Sequence, residues 1–494
     1  MNLLRISLVA VATIFFAVTA ALATVTPHAL FSDNMVLQQG FQTPVWGKAA
    51  PGEKVTVSIG TQRVSAVADK DGRWMVKLAS LKPGGPYQMT IAGENNTITI
   101  KNILAGEVWV ASGQSNMEYG LGGVTDSAKE IADANYPEIR VFTVKTVVSG
   151  MPLDDVSGKW EVCTPEVAGN FSAVGYLFAR DLYKSIKMPV GLIHSAVSGT
   201  LAEAWTSVDA LSKSPVLQPI LTRYAKDCAD YQQAVAEGKK PAPVDPSTQT
   251  THPGGLFNGK IAPLIPYRIR GVVWWQGEYN SERCMQYKTL FPTLIHDWRV
   301  KWGQGDFPFL FVQLQNLDIQ PQPNTAHYDE MREAQLYTWN TVPLTGMAMM
   351  VDAGDANNIH PPHKQVAAER LTRIARALVY GEKDLVYSGP IYRAMKVEGE
   401  KIRLNFDFLG GGLVSKSGDT LGSFVIAGAD QKFVPAQAKI DGNTVVVWSP
   451  EVKTPVAVRY AWADNPTCTL YNKADLPASP FRTDDWPVNT TGKN

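Results

Sequence analysis

The stretch WVASGQSNMEYGL, Trp109 to Leu121, decides how the chain is read. An apolar run ending at Ser112 breaks at Gly113 into the polar turn Gln114-Ser115-Asn116. A short apolar run closed by a turn reads as a buried strand, and small polar residues after it read as the entry to a helix. Ser115 therefore stands just past the C-terminal end of a strand, where an open α/β sheet is expected to carry its site. A serine there serves either as a helix cap or as a nucleophile whose own backbone N–H helps hold an oxyanion.

Working outward, the same rhythm continues. "SAVGYLFARDLYKSI" has apolar residues at helical spacing, and "PVGLIHSA" is again a strand. "GVVWWQGE", "FPFLFVQLQN" and "TGMAMMVDAG" read as three more strands. "HKQVAAERLTRIARALVYG" reads as an amphipathic helix with a glycine stop. Strands alternating with helices imply an α/β domain with a parallel sheet, its loops gathered at the strand C-termini. This domain is expected over residues 104–384, with an insertion or flap at about 209–255, where Pro, Gly and Thr interrupt the pattern. Before it, residues 24–103 show short alternating runs such as "KVTVSIG" and "RWMVKLAS", which suggest a β-sandwich-like domain. After it, residues 385–494 alternate again and predict a second β domain.

Residues 1–23 hold one cation, Arg5, then an apolar run closing on Ala21-Leu22-Ala23. That is the layout of a cleaved signal peptide, which predicts a mature chain from near Thr24 in a periplasmic or extracellular space. The 46 basic and 46 acidic residues balance, and no Lys/Arg-rich run appears. Nucleic acid and membrane surfaces are therefore not expected partners. Cys163, Cys228, Cys284 and Cys468 lack C-x-x-C spacing, so no metal cluster is expected, while disulfides and buried free thiols both stay open.

A serine nucleophile needs a base. Of the seven histidines, His360 is best placed, on the loop "DANNIH" between a strand and a helix, at the same sheet edge as Ser115. His363 lies one helical turn further on, and His194 within a strand reads as core. Acyl transfer also needs N–H donors for the developing oxyanion. "HSAVSGT" offers the backbone of Ser198 and Gly199, and "WWQGEYN" offers the Gln276 amide and Asn280. Each motif alone is ordinary, but four polar strand-end loops suited to one chemistry are harder to dismiss.

Taken in order, "GQSNM", "PVGLIHSAVSGTLAEAW", "WWQGEYN" and "IHPPHKQVAAERL" resemble the successive blocks of sialate O-acetylesterase-type carbohydrate acetylesterases of the SGNH hydrolase superfamily. The opening "PHALFSDNMVLQQGFQTPVWGKAAPGEKVTV" resembles their N-terminal β region, so the likeness covers nearly all of the mature chain. It implies an SGNH-type three-layer α/β/α domain and removal of acetyl groups from O-acetylated sugars without metal or organic cofactor. The sugar is a sialic acid on this reading, with acetylated plant polysaccharide as the alternative. The competing class is a non-catalytic glycan-binding protein on a decayed hydrolase scaffold.

By that resemblance Ser115 is the nucleophile and His360 the general base. Ser115, Gly199 and Gln276 form the oxyanion hole. Glu278, Asn280 and Asn116 are expected at the sugar, with loop orientation as the alternative role of Glu278. Relatives commonly place an aspartate two or three residues before the histidine. Asn357 and Asn358 stand there here, so Asp355 or, further back, Asp352 is the acid at hand. Failing an acid, a Ser-His dyad remains. Trp205, Trp274, Tyr279 and Tyr119 are the aromatics that a sugar ring would stack on if exposed.

Overall fold

The computed structural model describes residues 24–318 and 326–494. The signal-like segment 1–23 lies outside the described residues. A mixed sheet forms the centre. Its strands are β1 (Thr97–Gly113), β2 (Tyr136–Thr143), β3 (Trp160–Cys163), β4 (Val190–Ala196), β5 (Gly271–Trp275), β6 (Phe309–Gln313) and β7 (Thr345–Met349). Their spatial order is β3-β2-β4-β1-β5-β6-β7. All neighbours run parallel except β3, which lies antiparallel on the edge beside β2. Every residue of β4, β5, β6 and β7 is buried, as expected of parallel strands covered on both faces.

The chain reaches β2 and β4 on one side of β1 and then crosses to β5 on the other. β1 is thus the strand at which the order reverses, and the crevice beyond its C-terminal end is the expected ligand site. Ser115 opens α1 (Ser115–Glu118) there. The remaining helices used below are α2 (Ala173–Ile186), α3 (Gln218–Ala236), α4 (Cys284–Trp302), α5 (Tyr328–Thr341) and α6 (Lys364–Leu378). The Ser172 hydroxyl caps α2 by accepting the Gly175 N–H, and α2 packs against α6. α6 buries Ala367, Ala368, Leu371, Thr372, Ile374 and Ala375, the stripe its sequence spacing calls for. The 209–255 stretch supplies α3, whose buried residues are only Ile220 and Ala234. Among the described residues no helix is long and apolar enough to cross a membrane.

The N-terminal strands show the predicted alternation, as in Arg73–Leu78, where every second residue is buried. They are not set apart from the central sheet. β1 pairs antiparallel with Gly84–Ala92 through its first half and enters the parallel sheet with its second. Position 103, where the composition changes, falls inside this one strand. One hydrophobic core runs from Val25 to Ile391, and a second spans Ile402 to Phe481. The C-terminal region docks on polar bolts. The fully buried Arg332 guanidinium donates to the carbonyls of Leu314 (2.9 Å), Gln315 (2.7 Å), Ala463 (2.8 Å) and Asp464 (2.7 Å). All four cysteines are free thiols.

Candidate active site

β1 ends on Gly113 at φ +136°, and a Cβ there would lie 2.1 Å from the Trp275 carbonyl oxygen. Only glycine lets the two strand ends approach this closely. The next residue seals the contact, with Gln114 N–H donating to Trp275 O at 2.9 Å. Ser115 follows, half-buried, at the first position of α1, where helix N–H groups have no intrahelical acceptor. The turn behind it is pinned by Ser172, whose hydroxyl donates to Met117 O at 2.6 Å.

β4 leads to the second loop. Ser198 gives both its N–H (2.7 Å) and its hydroxyl to Glu118 Oε2, so its backbone donor is already taken. Gly199 forms the exposed apex at φ +65°, with open space where a side chain would stand. Thr200 turns inward, its hydroxyl donating to Val197 O at 2.9 Å and accepting from Trp205 Nε1 at 3.0 Å.

The third loop corrects one expectation. The Gln276 side chain does not face the crevice. It is fully buried, its Nε2 donating to Thr200 O (3.1 Å) and Asn280 Oδ1 (2.7 Å) and its Oε1 accepting from Tyr287 (3.1 Å). Both amide hydrogens are committed to the fold, so Gln276 holds the Gly199 loop from beneath instead of supplying an oxyanion donor. Asn280 is placed likewise. Its Oδ1 also accepts the Ala202 N–H at 2.9 Å, and its Nδ2 donates to Glu203 Oε2 at 2.8 Å.

Asn116 and Glu278, expected at the sugar, are also members of a buried network. Asn116 Nδ2 donates to Glu278 Oε1 (2.7 Å) and to the Ile359 carbonyl (3.0 Å), and its Oδ1 accepts from Lys364 Nζ. Gln315 Nε2 gives Ile359 O a second bond at 3.1 Å. Glu278 Oε2 is buried with no hydrogen-bond partner. Burial pushes the Glu278 carboxyl up, opposed by Asn116 and the Lys364 charge. Burial pushes Lys364 down to about 7, opposed by Glu278. The Lys364 ammonium lies over the rings of Trp275 (4.5 Å) and Tyr119 (4.9 Å).

The loop of His360 is tied to the Ser115 turn at two points. The residue after Ser115 holds the carbonyl of the residue before His360, and the His360 ring stacks on Tyr119 at 6.1 Å and 28°. Burial, and secondly the Lys364 charge, hold the His360 imidazole below its ordinary value. It is therefore neutral, and able to take a proton, near pH 7. Asp355 does not orient it. Its Oδ1 accepts the Asn357 N–H at 2.9 Å and its carbonyl accepts the Asn358 N–H at 3.2 Å, so Asp355 shapes the turn. Asp352 is bound to Arg370 (2.6 and 2.8 Å) and Tyr471 (3.2 Å). Among the described residues no carboxylate is hydrogen-bonded or ion-paired to the His360 ring.

Trp205 and Trp274 are fully buried and present no platform, whereas Tyr279 is 54 % exposed. His194 is core, as expected, and burial pushes its imidazole down to about 3. Lys364, Glu118, Glu203 and Gln315 were not foreseen. Lys364 alone left a trace in the sequence, as a cation four residues after His360 at the head of a helix.

The profile of the sialic acid-specific acetylesterases, a carbohydrate esterase family, matches residues 105–238 and 257–373. These spans carry all four loops, and they make the chain a carboxylic ester hydrolase. The sialate O-acetylesterase of Mus musculus is 33 % identical over 512 residues, covering 92 % of this chain and 93 % of the relative. The Homo sapiens sialate O-acetylesterase is 32 % identical, covering 91 % of each. A crystal structure of a carbohydrate acetylesterase from Xanthomonas citri matches with a TM-score of 0.82 at 36 % identity, over 94 % of this chain and 100 % of that one. The chain belongs to the sialic acid-specific acetylesterase family of carbohydrate esterases.

Proposed function

We propose that the chain removes acetyl groups from O-acetylated sugars, sialic acids first, with Ser115 as nucleophile and His360 as general base. One observation carries the assignment: Asn116, beside Ser115, bonds the carbonyl of Ile359, beside His360. Two residues 243 apart in sequence are thereby locked to one another at the strand where the sheet order reverses.

His360 takes the Ser115 proton as Oγ attacks the acetyl carbonyl. The Ser115 and Gly199 N–H groups bind the oxyanion. As the tetrahedral intermediate collapses, the C–O bond to the sugar breaks and His360 protonates the leaving hydroxyl. Water then repeats the cycle on the acetyl-serine, releasing acetate and restoring Ser115. Tyr119 and the Asn116–Glu278–Lys364 network hold the imidazole, in place of a carboxylate whose duty is orientation and charge stabilisation.

The two helix pairs, α2 with α6 and α4 with α5, are read as the outer layers of an SGNH-type α/β/α unit over 104–384. Regions 24–103 and 385–494 are read as β domains that brace it. Residues 1–23 are read as a signal peptide for export to the periplasm or beyond, and the intact mass of the exported protein should place its first residue near Thr24.

Acetate release from 9-O-acetyl-N-acetylneuraminic acid, acetylated xylan and xyloglucan tests the reading. Ser115→Ala is expected to lose at least about 10³-fold in kcat, and a fluorophosphonate should label the wild type at Ser115. Retained turnover in the variant, or no labelling, would favour the binding-module alternative.

A further inference from the structure

Residues 350–360, which end on His360, form no helix or strand. A segment without a backbone ladder of its own takes its position from its neighbours. One neighbour is the stretch 314–318, which leaves the C-terminal end of β6. Gln315 is fully buried there, and its Nε2 donates to Ile359 O, the carbonyl before His360, at 3.1 Å. Asn316 Oδ1 accepts the Gly354 N–H at 2.8 Å, and the Asp318 N–H donates to Ala356 O at 2.7 Å. The two segments are in close contact, since a Cβ on Gly354 would lie 2.3 Å from the Asn316 carbonyl oxygen. Within the loop the bonds continue to the base. The Asn358 N–H donates to Asp355 O at 3.2 Å, and Asn358 Oδ1 accepts the His360 N–H at 2.9 Å.

The C-terminal region holds the same stretch. Arg332 Nη2 donates to Gln315 O and to Asp464 O, at 2.7 Å each. The Leu317 N–H donates to Asp464 O at 3.2 Å. Asn316 Nδ2 donates to Asn465 Oδ1 at 2.8 Å. A single asparagine side chain thus spends its acceptor on the His360 loop and its donor on the C-terminal region. Tyr471 adds a second tie, donating to Asp352 Oδ2 at 3.2 Å, near the start of the loop. With no carboxylate bonded to the imidazole among the described residues, the place of the ring depends on the backbone that carries it. A base displaced by about 1 Å loses rate steeply.

We infer that the C-terminal region positions the general base, with Gln315 and Asn316 as positioning residues that pass the docking of residues 463–471 on to the backbone of His360. This rests on the reading of His360 as the base and gives the C-terminal β region a part in the reaction. Activity then requires that region to be docked, although it supplies no group to the chemistry.

Two variants of the full chain test the relay from its two ends. Asn465→Ala combined with Tyr471→Phe removes two C-terminal ties and leaves Arg332 in place. These ties lie close to solvent, so kcat for acetate release should fall by only about 3- to 10-fold, with KM within about two-fold of the wild type. Gly354→Ala works from the loop. Gly354 does not lie in the left-handed region, so alanine acts there as a wedge against Asn316 and not through its own torsions. Its kcat should fall by about 100-fold. Hydrogen exchange read by mass spectrometry separates positioning from lost stability. In both variants amides 354–360 should exchange faster, while those of β1 and β5 keep the wild-type rate. An unchanged kcat in the double variant, or a fall without faster exchange confined to 354–360, would overturn the relay. Should the wild type release no acetate from any substrate, the esterase reading fails by itself. The exchange measurement then decides the relay, which requires faster exchange at 354–360 in the double variant.

Discussion

His360 is held by an aromatic face and by its neighbour's carbonyl, and this has a consequence for pH. Its imidazole is held down first by burial and then by the Lys364 charge. A depressed histidine is in its basic form at all pH values above its own, so the acid limb of kcat/KM should lie below the ordinary histidine value of 6.5. Lys364→Met removes the second cause and leaves the first. The limb should therefore move up in pH, and kcat should fall by about 10- to 100-fold as the Asn116 tie to Ile359 loosens. A pH profile of the variant checks both; an unmoved limb would show that Lys364 exerts no charge effect on His360. The turn at Ser115 and the loop that carries His360 were legible as strand-end loops because each follows an apolar run. Lys364 was not, since a lysine at a helix head ordinarily reads as solvated. Gln276 was misread for a different reason. Its position matched a known motif, but position says nothing of where two amide hydrogens are spent.

At the level of elements, the parallel strands and the α6 stripe were plain from the spacing of apolar residues. The loops were legible only as loops. That Glu118 reaches from α1 to occupy Ser198, leaving Gly199 as the free apex, depends on a contact 80 residues apart. No local pattern encodes it. The insertion was visible as a break in rhythm, and its Pro- and Gly-rich tail suggested a flap.

Across the whole molecule, the C-terminal region is tied to the rest through a guanidinium that solvent does not reach. Arg332 donates to four carbonyls drawn from both sides of the junction, and burial pushes its guanidinium down to about 10. Arg332→Met should strand those carbonyls and cost about 3–5 kcal/mol. Limited proteolysis of the full chain should then cleave near residue 385 at protease levels that leave the wild type intact. Equal resistance would mean that other ties, such as Arg482 to Glu333 and Gln313 to Ser479, hold the region without Arg332. The change of composition at 103 falls along a strand that does not stop.

That strand sets what can be exchanged. β1 is 17 residues long, and its first half is laced to Gly84–Ala92 while its second half ends at Gly113, two residues before Ser115. A gene fragment beginning at residue 104 would cut the rod that carries Ser115 and lay bare the edge it had covered. In recombination, natural or engineered, the N-terminal strands and the serine travel as one inheritable block, and a new partner module can be spliced in only outside it.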